Sequence, residues 1–453
     1  MRRHFLQKNQ VLDLSVASYG AEAEGLCRHD GMVVFVPGAL AGERIRAQVL
    51  KVQKSHAYGK LLEVVDPSPA RVQPPCPYYD ACGGCSCQHM DYAEELRFKG
   101  NLVKDALHRI GGIELSDLPV LGMSDPWRYR NKSALPVAEV EGEARAGFYR
   151  RRSHRIVPVD QCLINNQHSD AVIPIVLSWM KQNGIPAYSE EEHTGLVRHL
   201  MTRSNQQGQL MVVLVINGTR LPAADALIDA LRAGLPTLRS LYISINQQRT
   251  NTILGVDCHL LWGDAHLVDS LCGLNYRLSP LSFFQVNALQ AERLYQRALE
   301  MAAPTSRDIV MDLYCGAGTI SCLFARHSRQ VVGIEIVPQA VEDARHNAAL
   351  NGIDNATFHC APAETLVPQL VAEGQRPDIV VLDPPRKGAE VAVLQAINQA
   401  APRRIVYISC HPGTQARDAR LLREEGWQVT DACAVDMFCK TAGVENILLF
   451  ERG

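Results

Sequence analysis

Four short apolar runs in the last third of the chain stop on, or beside, residues able to do chemistry. They are "DIVMDLYC" (308–315), "QVVGIEI" (330–336), "DIVVLDPP" (378–385) and "RIVYISC" (404–410). Helix-like stretches separate them, and strand alternating with helix is the pattern of a doubly wound parallel sheet. In such a sheet ligands sit beyond the carboxyl ends of the strands. The run ends therefore single out Tyr314, Glu335, Asp383 and Cys410, and "VENILLFER" (444–452) reads as a closing strand that begins near Glu445.

The first run leads into "CGAGT", a glycine turn where backbone can approach a ligand closely. Glu335 follows Gly316 by nineteen residues and ends the second run, where an acid can bond ribose hydroxyls. A dinucleotide site would want a third glycine near Ser321 to bring helix and strand together around a pyrophosphate, and there is none. S-adenosylmethionine has no pyrophosphate. Glycine turn, spaced acid and Asp-Pro-Pro together predict a class I, Rossmann-like methyltransferase domain. The two prolines after Asp383 force a rigid, extended turn that fixes the acid.

Cys410 then becomes a candidate nucleophile. Carbon 5 of uracil attacks a methyl sulfonium poorly. A thiolate added at carbon 6 makes the ring an enolate whose carbon 5 can do so, which splits one hard step into two easier ones. A carboxylate must afterwards remove the carbon 5 proton, and Glu445 in "VDMFCKTAGVEN" can serve as that base. Ordinary readings stand beside these: cysteine packs well in cores, and an isolated glutamate is usually a surface acid.

Residues 10–65 carry short strand-like runs broken by glycines and a "PG" turn, which predicts a small all-β barrel. Arg44, Arg46, Lys51, Lys54 and Lys60 cluster in its second half, either as a solvated charged face or as a grip for RNA. A proline-rich linker is expected at 66–77 and a helix over Tyr92–Arg109. Residues 120–270 read as strands and turns with helices near 168–183 and 222–234. "WRYRNK" (127–132) and "YRRRSHR" (149–155) interleave aromatic and cationic residues, as RNA-contacting segments do. The formal net charge of −2 means that any basic surface must be local. No apolar run is long enough to span a bilayer, and "MRRHFLQKNQVLDLSV" lacks the features of a signal peptide, so a cytoplasmic protein is expected. In that reducing compartment the fourteen cysteines are expected to stay unpaired. Cys76, Cys82 and Cys85 are spaced irregularly for a zinc ribbon and suit an iron–sulfur cluster, with Cys87 or Cys162 as fourth ligand.

Five motifs in order, "SPLSFFQVN", "DLYCGAGT", "LDPPRKG", "YISCHPGTQARD" and "VDMFCKTAGVE", resemble the RNA uracil-5-methyltransferase family. The likeness is greatest to bacterial 23S ribosomal RNA uridine-5-methyltransferases with an N-terminal TRAM domain and a [4Fe–4S] cluster. The resemblance covers nearly the whole chain. It implies a TRAM (OB-like) barrel over 1–66, a mixed α+β central domain carrying the cluster over 67–275, and the methyltransferase domain over 276–453. It implies Cys410 as nucleophile and Glu445 as base, with Gln285, Tyr314, Glu335 and Asp383 binding the cofactor. It places Cys162 with Cys76, Cys82 and Cys85 as cluster ligands, the cluster being structural. Phe283 and Phe284 would shape the pocket or fill the core. The sequence departs from the family at four places: His411 for Asn, Cys439 for Pro and Gly443 for His within "FPHTxHVE", and Pro362 for a polar cofactor contact. Alternatives are a cytosine-5 methyltransferase, disfavoured because "LDPPRKG" holds no cysteine, the T-loop uridine of transfer RNA, and a non-catalytic iron–sulfur RNA-binding protein. RNA is the expected partner, with no membrane, no obligate protein partner, and a monomeric state.

Overall fold

The computed structural model describes residues 6–452. Residues 1–5, which the expected barrel and the leader-segment reading both include, lie outside them. Along Val11–Tyr19 exposed and buried residues alternate, and Leu12, Leu14 and Val16 turn inward. This strand and Gly25–His29, Met32–Val36, Arg44–Val52 and His56–Asp66 close into a barrel, which leaves no free strand edge. The basic face is partly neutralised. Arg44 pairs with Asp66 at 2.9 Å, and Arg46 with Asp13 and Glu63 at 3.4 and 3.3 Å, because these residues are neighbours across strands. Lys51, Lys54 and Lys60 have no ion-pair partner among the described residues.

The proline-rich segment is pinned down. Arg71 donates to the buried Glu43 carboxylate at 2.5 and 2.7 Å and to the Gly38 carbonyl at 2.8 Å. Burial works against that carboxylate's charge. Arg71 and the N–H groups of Leu40 and Ser68 nevertheless hold it below the ordinary range. Beyond the segment runs the helix Tyr92–Arg109, capped by the Asp91 side chain. The Tyr19 hydroxyl reaches Glu94 at 2.6 Å, and Ala23 and Leu40 of the barrel region share a small core with Cys87, Met90 and Phe98. The barrel is thereby packed onto this helix.

The central region is a seven-stranded sheet with helices Val172–Gln182 and Ala224–Gly234 on one face. Every residue of its strand Leu210–Ile216 is buried, since Met211 and Val213 pack toward the C-terminal core on the other face. That strand runs parallel to Leu238–Ile245, with Ala224–Gly234 as the crossover.

The C-terminal sheet has eight strands in the order Ala356–Cys360, Gln330–Glu335, Ile309–Leu313, Ile379–Leu382, Arg404–Ser409, Glu445–Arg452, Trp427–Val435, Val120–Leu121. The first five are parallel; Glu445–Arg452 is antiparallel to both its neighbours. Two apolar layers cover the faces. Ala288–Ala302, Thr319–Ala325 and Pro338–Leu350 supply one, and Tyr92–Arg109, Ala363–Ala372, Val391–Ala400 and Pro412–Glu424 the other. Chain order and packing order differ at two points. Tyr92–Arg109 and Val120–Leu121 join this sheet from within the segment expected as central. The expected boundary at 276 falls inside the strand Leu274–Leu278, which pairs with Leu267–Leu271 and feeds the same core. Among the described residues no helix is long and apolar enough to cross a membrane.

Candidate active site

The glycine turn opens where Ile309–Leu313 ends. Tyr314, Gly316 and Gly318 all take positive φ (66°, 54° and 78°). A side chain at Gly318 would press on Ala344 and Phe358, whereas the space beside Gly316 is open. The Gly316 N–H donates to the Glu335 carboxylate at 3.1 Å, and Val337 N–H donates to its other oxygen at 2.8 Å. Glu335 thus ties the second strand end to the glycine turn. One acid went unread in the sequence. Asp312 is fully buried inside the strand, accepts from the Ser321 hydroxyl, and leaves one oxygen without a partner. Burial pushes its carboxyl up to about 7. A carboxylate inside an otherwise apolar strand was the available signal.

Asp383, Cys410 and Glu445 stand at the ends of three consecutive strands. Ile379–Leu382 delivers Asp383, with its N–H on the Leu313 carbonyl at 3.3 Å. Arg404–Ser409 delivers Cys410. Glu445 begins its strand instead of ending one, but that strand is antiparallel, so its first residue emerges at the same edge. Tyr314 and Glu335 lie on the next two strand ends, so five predicted residues form one row.

The row is rich in carboxyl groups that are partly or fully buried. Glu445 is buried, and burial raises its carboxyl well above the ordinary range; Asp383 raises it further and Arg386 opposes. Asp383 is likewise raised by burial. The Cys410 thiol is half-buried and raised, first by burial and then by Glu445 and Asp383, with Arg386 pulling the other way. Arg386 follows the two prolines of "DPPRKG" and is the cation of this site, a role the sequence reading did not assign.

Gln285 is buried in the loop before Ala288–Ala302, and its carbonyl accepts from the Asn131 side chain at 3.0 Å. Tyr295, two turns into that helix, is buried; burial raises its hydroxyl, the charges of Asp383 and Glu445 add to this, and the neighbouring Thr319 and Gln285 oppose. This links Gln285 to the row through a residue the sequence reading missed. Phe284 packs in the core against Tyr276, while Phe283 is 69% exposed.

The four departures have local explanations. His411 caps the helix Pro412–Glu424 by accepting from Thr414 N–H at 3.2 Å, a task Asn can also perform. Cys439 is buried against Tyr129 and Ile164, away from the row. A Cβ on Gly443 would lie 3.0 Å from the Phe438 ring. Pro362 precedes Ala363–Ala372 and caps it with no side-chain bond.

Cys85 and Cys162 pack against the same small cluster of Tyr129, Ile164 and Cys439. Burial raises the Cys85 thiol to about 12, and Cys162, Cys82 and Cys76 lie near enough to add to the shift. Cys87 points elsewhere, into the apolar core with Met90 and Phe98. Among the described residues no three His, Cys, Asp or Glu side chains are arranged to hold a single metal ion.

The two aromatic–cationic segments differ. Trp127–Lys132 is scaffold: Arg128 bonds the Cys162 carbonyl at 2.9 Å and pairs with Asp170, and Asn131 N–H donates to the Val286 carbonyl at 2.8 Å. Tyr149–Arg155 is a surface turn. Its Arg152 stacks on Tyr58 of the barrel at 4.9 Å, and its Arg151 on Tyr79 at 5.4 Å. Beside it the central sheet forms a hollow of about 1150 Å³, lined among others by Tyr149, Arg155, Tyr188 and His199.

Comparison with known proteins agrees with this geometry. Residues 223–453 match the family model described as tRNA (Uracil-5-)-methyltransferase, and residues 6–62 match the TRAM domain. An uncharacterized RNA methyltransferase of Halalkalibacterium halodurans is 42% identical over 448 residues, covering 98% of both chains. One from Clostridium tetani is 42% identical over 445 residues, covering 98% of this chain and 97% of the other. Among solved structures, the Pyrococcus abyssi tRNA (uracil-54, C5)-methyltransferase in complex with S-adenosyl-L-homocysteine superposes with a TM-score of 0.80 at 25% identity, covering 97% of this chain and all of that one. A family model that covers half of the chain and relatives that match along nearly all of it lead to one conclusion: the chain belongs to the RNA uracil-5-methyltransferase family.

Proposed function

We propose that this protein methylates carbon 5 of uridine in 23S ribosomal RNA, using S-adenosylmethionine and a transient bond between Cys410 and carbon 6. The carrying observation is the placement of Asp383, Cys410 and Glu445 on consecutive strand ends beside the glycine turn. The open space at Gly316 and the Glu335 carboxylate suit an adenosyl group, with Tyr314, Gln285 and Asp383 as further contacts. When bound, the cofactor supplies an electrophilic methyl group.

The chain's own residues do the rest. The Cys410 thiolate adds to carbon 6, and the electron pair moves into the ring, making carbon 5 nucleophilic toward that methyl. Glu445 then takes the carbon 5 proton, the carbon 6–sulfur bond breaks, and the thiolate leaves with the bonding pair. Arg386 sits where it favours the thiolate. The target base must leave its stack to reach this edge, and the 149–155 turn and the barrel lysines without ion-pair partners supply cationic and aromatic surface to hold the flanking RNA.

The four cysteines fit a [4Fe–4S] cluster. Thiolates are its natural ligands, Cys82, Cys85 and Cys162 are near one another, and Cys76 lies within reach of Cys85. Its role would be to brace the fold. All fourteen cysteines are free.

RNA containing 5-fluorouridine tests the chemistry. Fluorine replaces the proton that Glu445 removes, so the wild-type protein should stay covalently attached through Cys410, and Cys410→Ser should not. No adduct with either would overturn the reading. The transfer RNA T-loop is the second candidate substrate, favoured by the solved neighbour and the family model's description. Mapping 5-methyluridine in ribosomal and transfer RNA from a deletion strain separates the two.

A further inference from the structure

The strands Trp427–Val435 and Glu445–Arg452 form a hairpin whose last pair is Val435 with Glu445. The loop closing it, 436–444, therefore fixes where the Glu445 carboxyl stands. A loop of nine residues is ordinarily free to adopt many shapes. This one is held from three sides by buried groups.

From the helix Tyr92–Arg109, the Lys99 ammonium donates to Glu95 at 2.9 Å, to Asp436, and to the Phe438 carbonyl at 3.1 Å. Tyr92 donates to the second Asp436 oxygen at 2.7 Å. Glu95 accepts the Lys440 N–H at 2.5 Å and the Lys440 ammonium at 3.1 Å. From the start of the helix Ala288–Ala302, Gln290 donates to the Asp436 carbonyl at 3.1 Å and Asn287 to that of Met437 at 3.3 Å. From the cysteine loop, the N–H groups of Ser86 and Cys87 both donate to the Lys440 carbonyl at 3.0 Å. Lys440 itself has φ +67°, a conformation that L side chains adopt only when surroundings over-determine it. Its ammonium lies over the rings of Tyr92 and Trp127.

We propose that Lys440 and Glu95 are positioning residues for Glu445: their clamp ties the cysteine loop to the hairpin and serves the proton-removal step that frees the RNA. The proposal rests on the covalent reading above. It predicts a specific defect. Loosening the clamp should leave Cys410 addition and methyl transfer intact while the last step slows, so protein–RNA adduct accumulates on ordinary uridine RNA.

The experiment uses the full chain with cofactor and unmodified substrate RNA, and quantifies adduct on denaturing gels together with turnover. Lys440→Met and Glu95→Gln should raise adduct at least about tenfold over wild type and lower turnover, in the manner of Glu445→Gln. Tyr129→Phe, which removes only the 3.0 Å bond to the Cys439 carbonyl, should give a smaller rise. Adduct is a gained signal that an unfolded protein cannot produce. Wild-type turnover without adduct in Lys440→Met would overturn the proposal. So would loss of turnover without adduct there, together with no rise in Tyr129→Phe. Failure of Glu445→Gln to trap adduct would instead overturn the covalent reading.

Discussion

Ser409 and Asn446 face each other in antiparallel register, so the residues one step beyond them, Cys410 and Glu445, emerge together from the same edge of the sheet. Two groups more than thirty positions apart in sequence are made neighbours by a single strand pairing.

That pairing predicts different failures for the two residues. Cys410→Ser should lose at least about 10²-fold in turnover and form no adduct. Glu445→Gln should lose about 10²–10⁴-fold, the usual range for a general base, and hold the RNA covalently. Turnover assays paired with denaturing gels decide between these outcomes.

The Cys410 thiol titrates above its usual value of 9.0, chiefly through burial and then through Glu445 and Asp383. A raised thiol pKa makes thiolate scarce at neutral pH and more abundant as pH rises. Alkylation of the Cys410 peptide by iodoacetamide, followed by mass spectrometry, should therefore keep climbing past pH 9. Glu445→Gln should shift the midpoint down and Arg386→Gln should shift it up. Identical profiles for all three proteins would contradict this electrostatic account.

Lys99 is buried among Glu95, Asp436 and the Phe438 carbonyl. Removing one partner of a buried ion group leaves uncompensated charge, at a cost of about 3–5 kcal/mol. Lys99→Met should lower stability by that order in urea unfolding. Lys387→Met, whose partner Glu390 is exposed, should change it little.

Gly443 lies so close to Phe438 that an added side chain must displace the ring. Gly443→His, which restores the family residue, should cost about 1–3 kcal/mol through overpacking. A thermal melt unchanged by the substitution would show that the ring yields freely.

Cys162 adjoins Cys85 and Cys87 does not. Anaerobically purified Cys162→Ser should lose bound iron and sulfide, and Cys87→Ser should retain both.

The strands of the C-terminal sheet were legible because Val310, Val380 and Val406 belong to continuous apolar runs, buried on both faces. Ala356–Cys360 was not, since only Phe358 of that edge strand is buried. The placement of Asp383 and Cys410 at the sheet edge was legible because each directly follows an apolar run. Tyr295 and Arg386 act through space across elements, and spacing along the chain carries no mark of that. Arg44 and Arg46 looked like free cations because their partners, Asp66, Asp13 and Glu63, lie on other strands. Cys87 and Cys162 could be told apart only by which core each side chain enters.

The pinning of Arg71 on Glu43 and the packing of the barrel on Tyr92–Arg109 have a consequence for reach. That helix also lies against the catalytic sheet, so the barrel works as the fixed jaw of a caliper and not as an arm on a hinge. On the function proposed above, an RNA gripped there would meet Cys410 at a set span, and the uridine standing at that span would be the one selected.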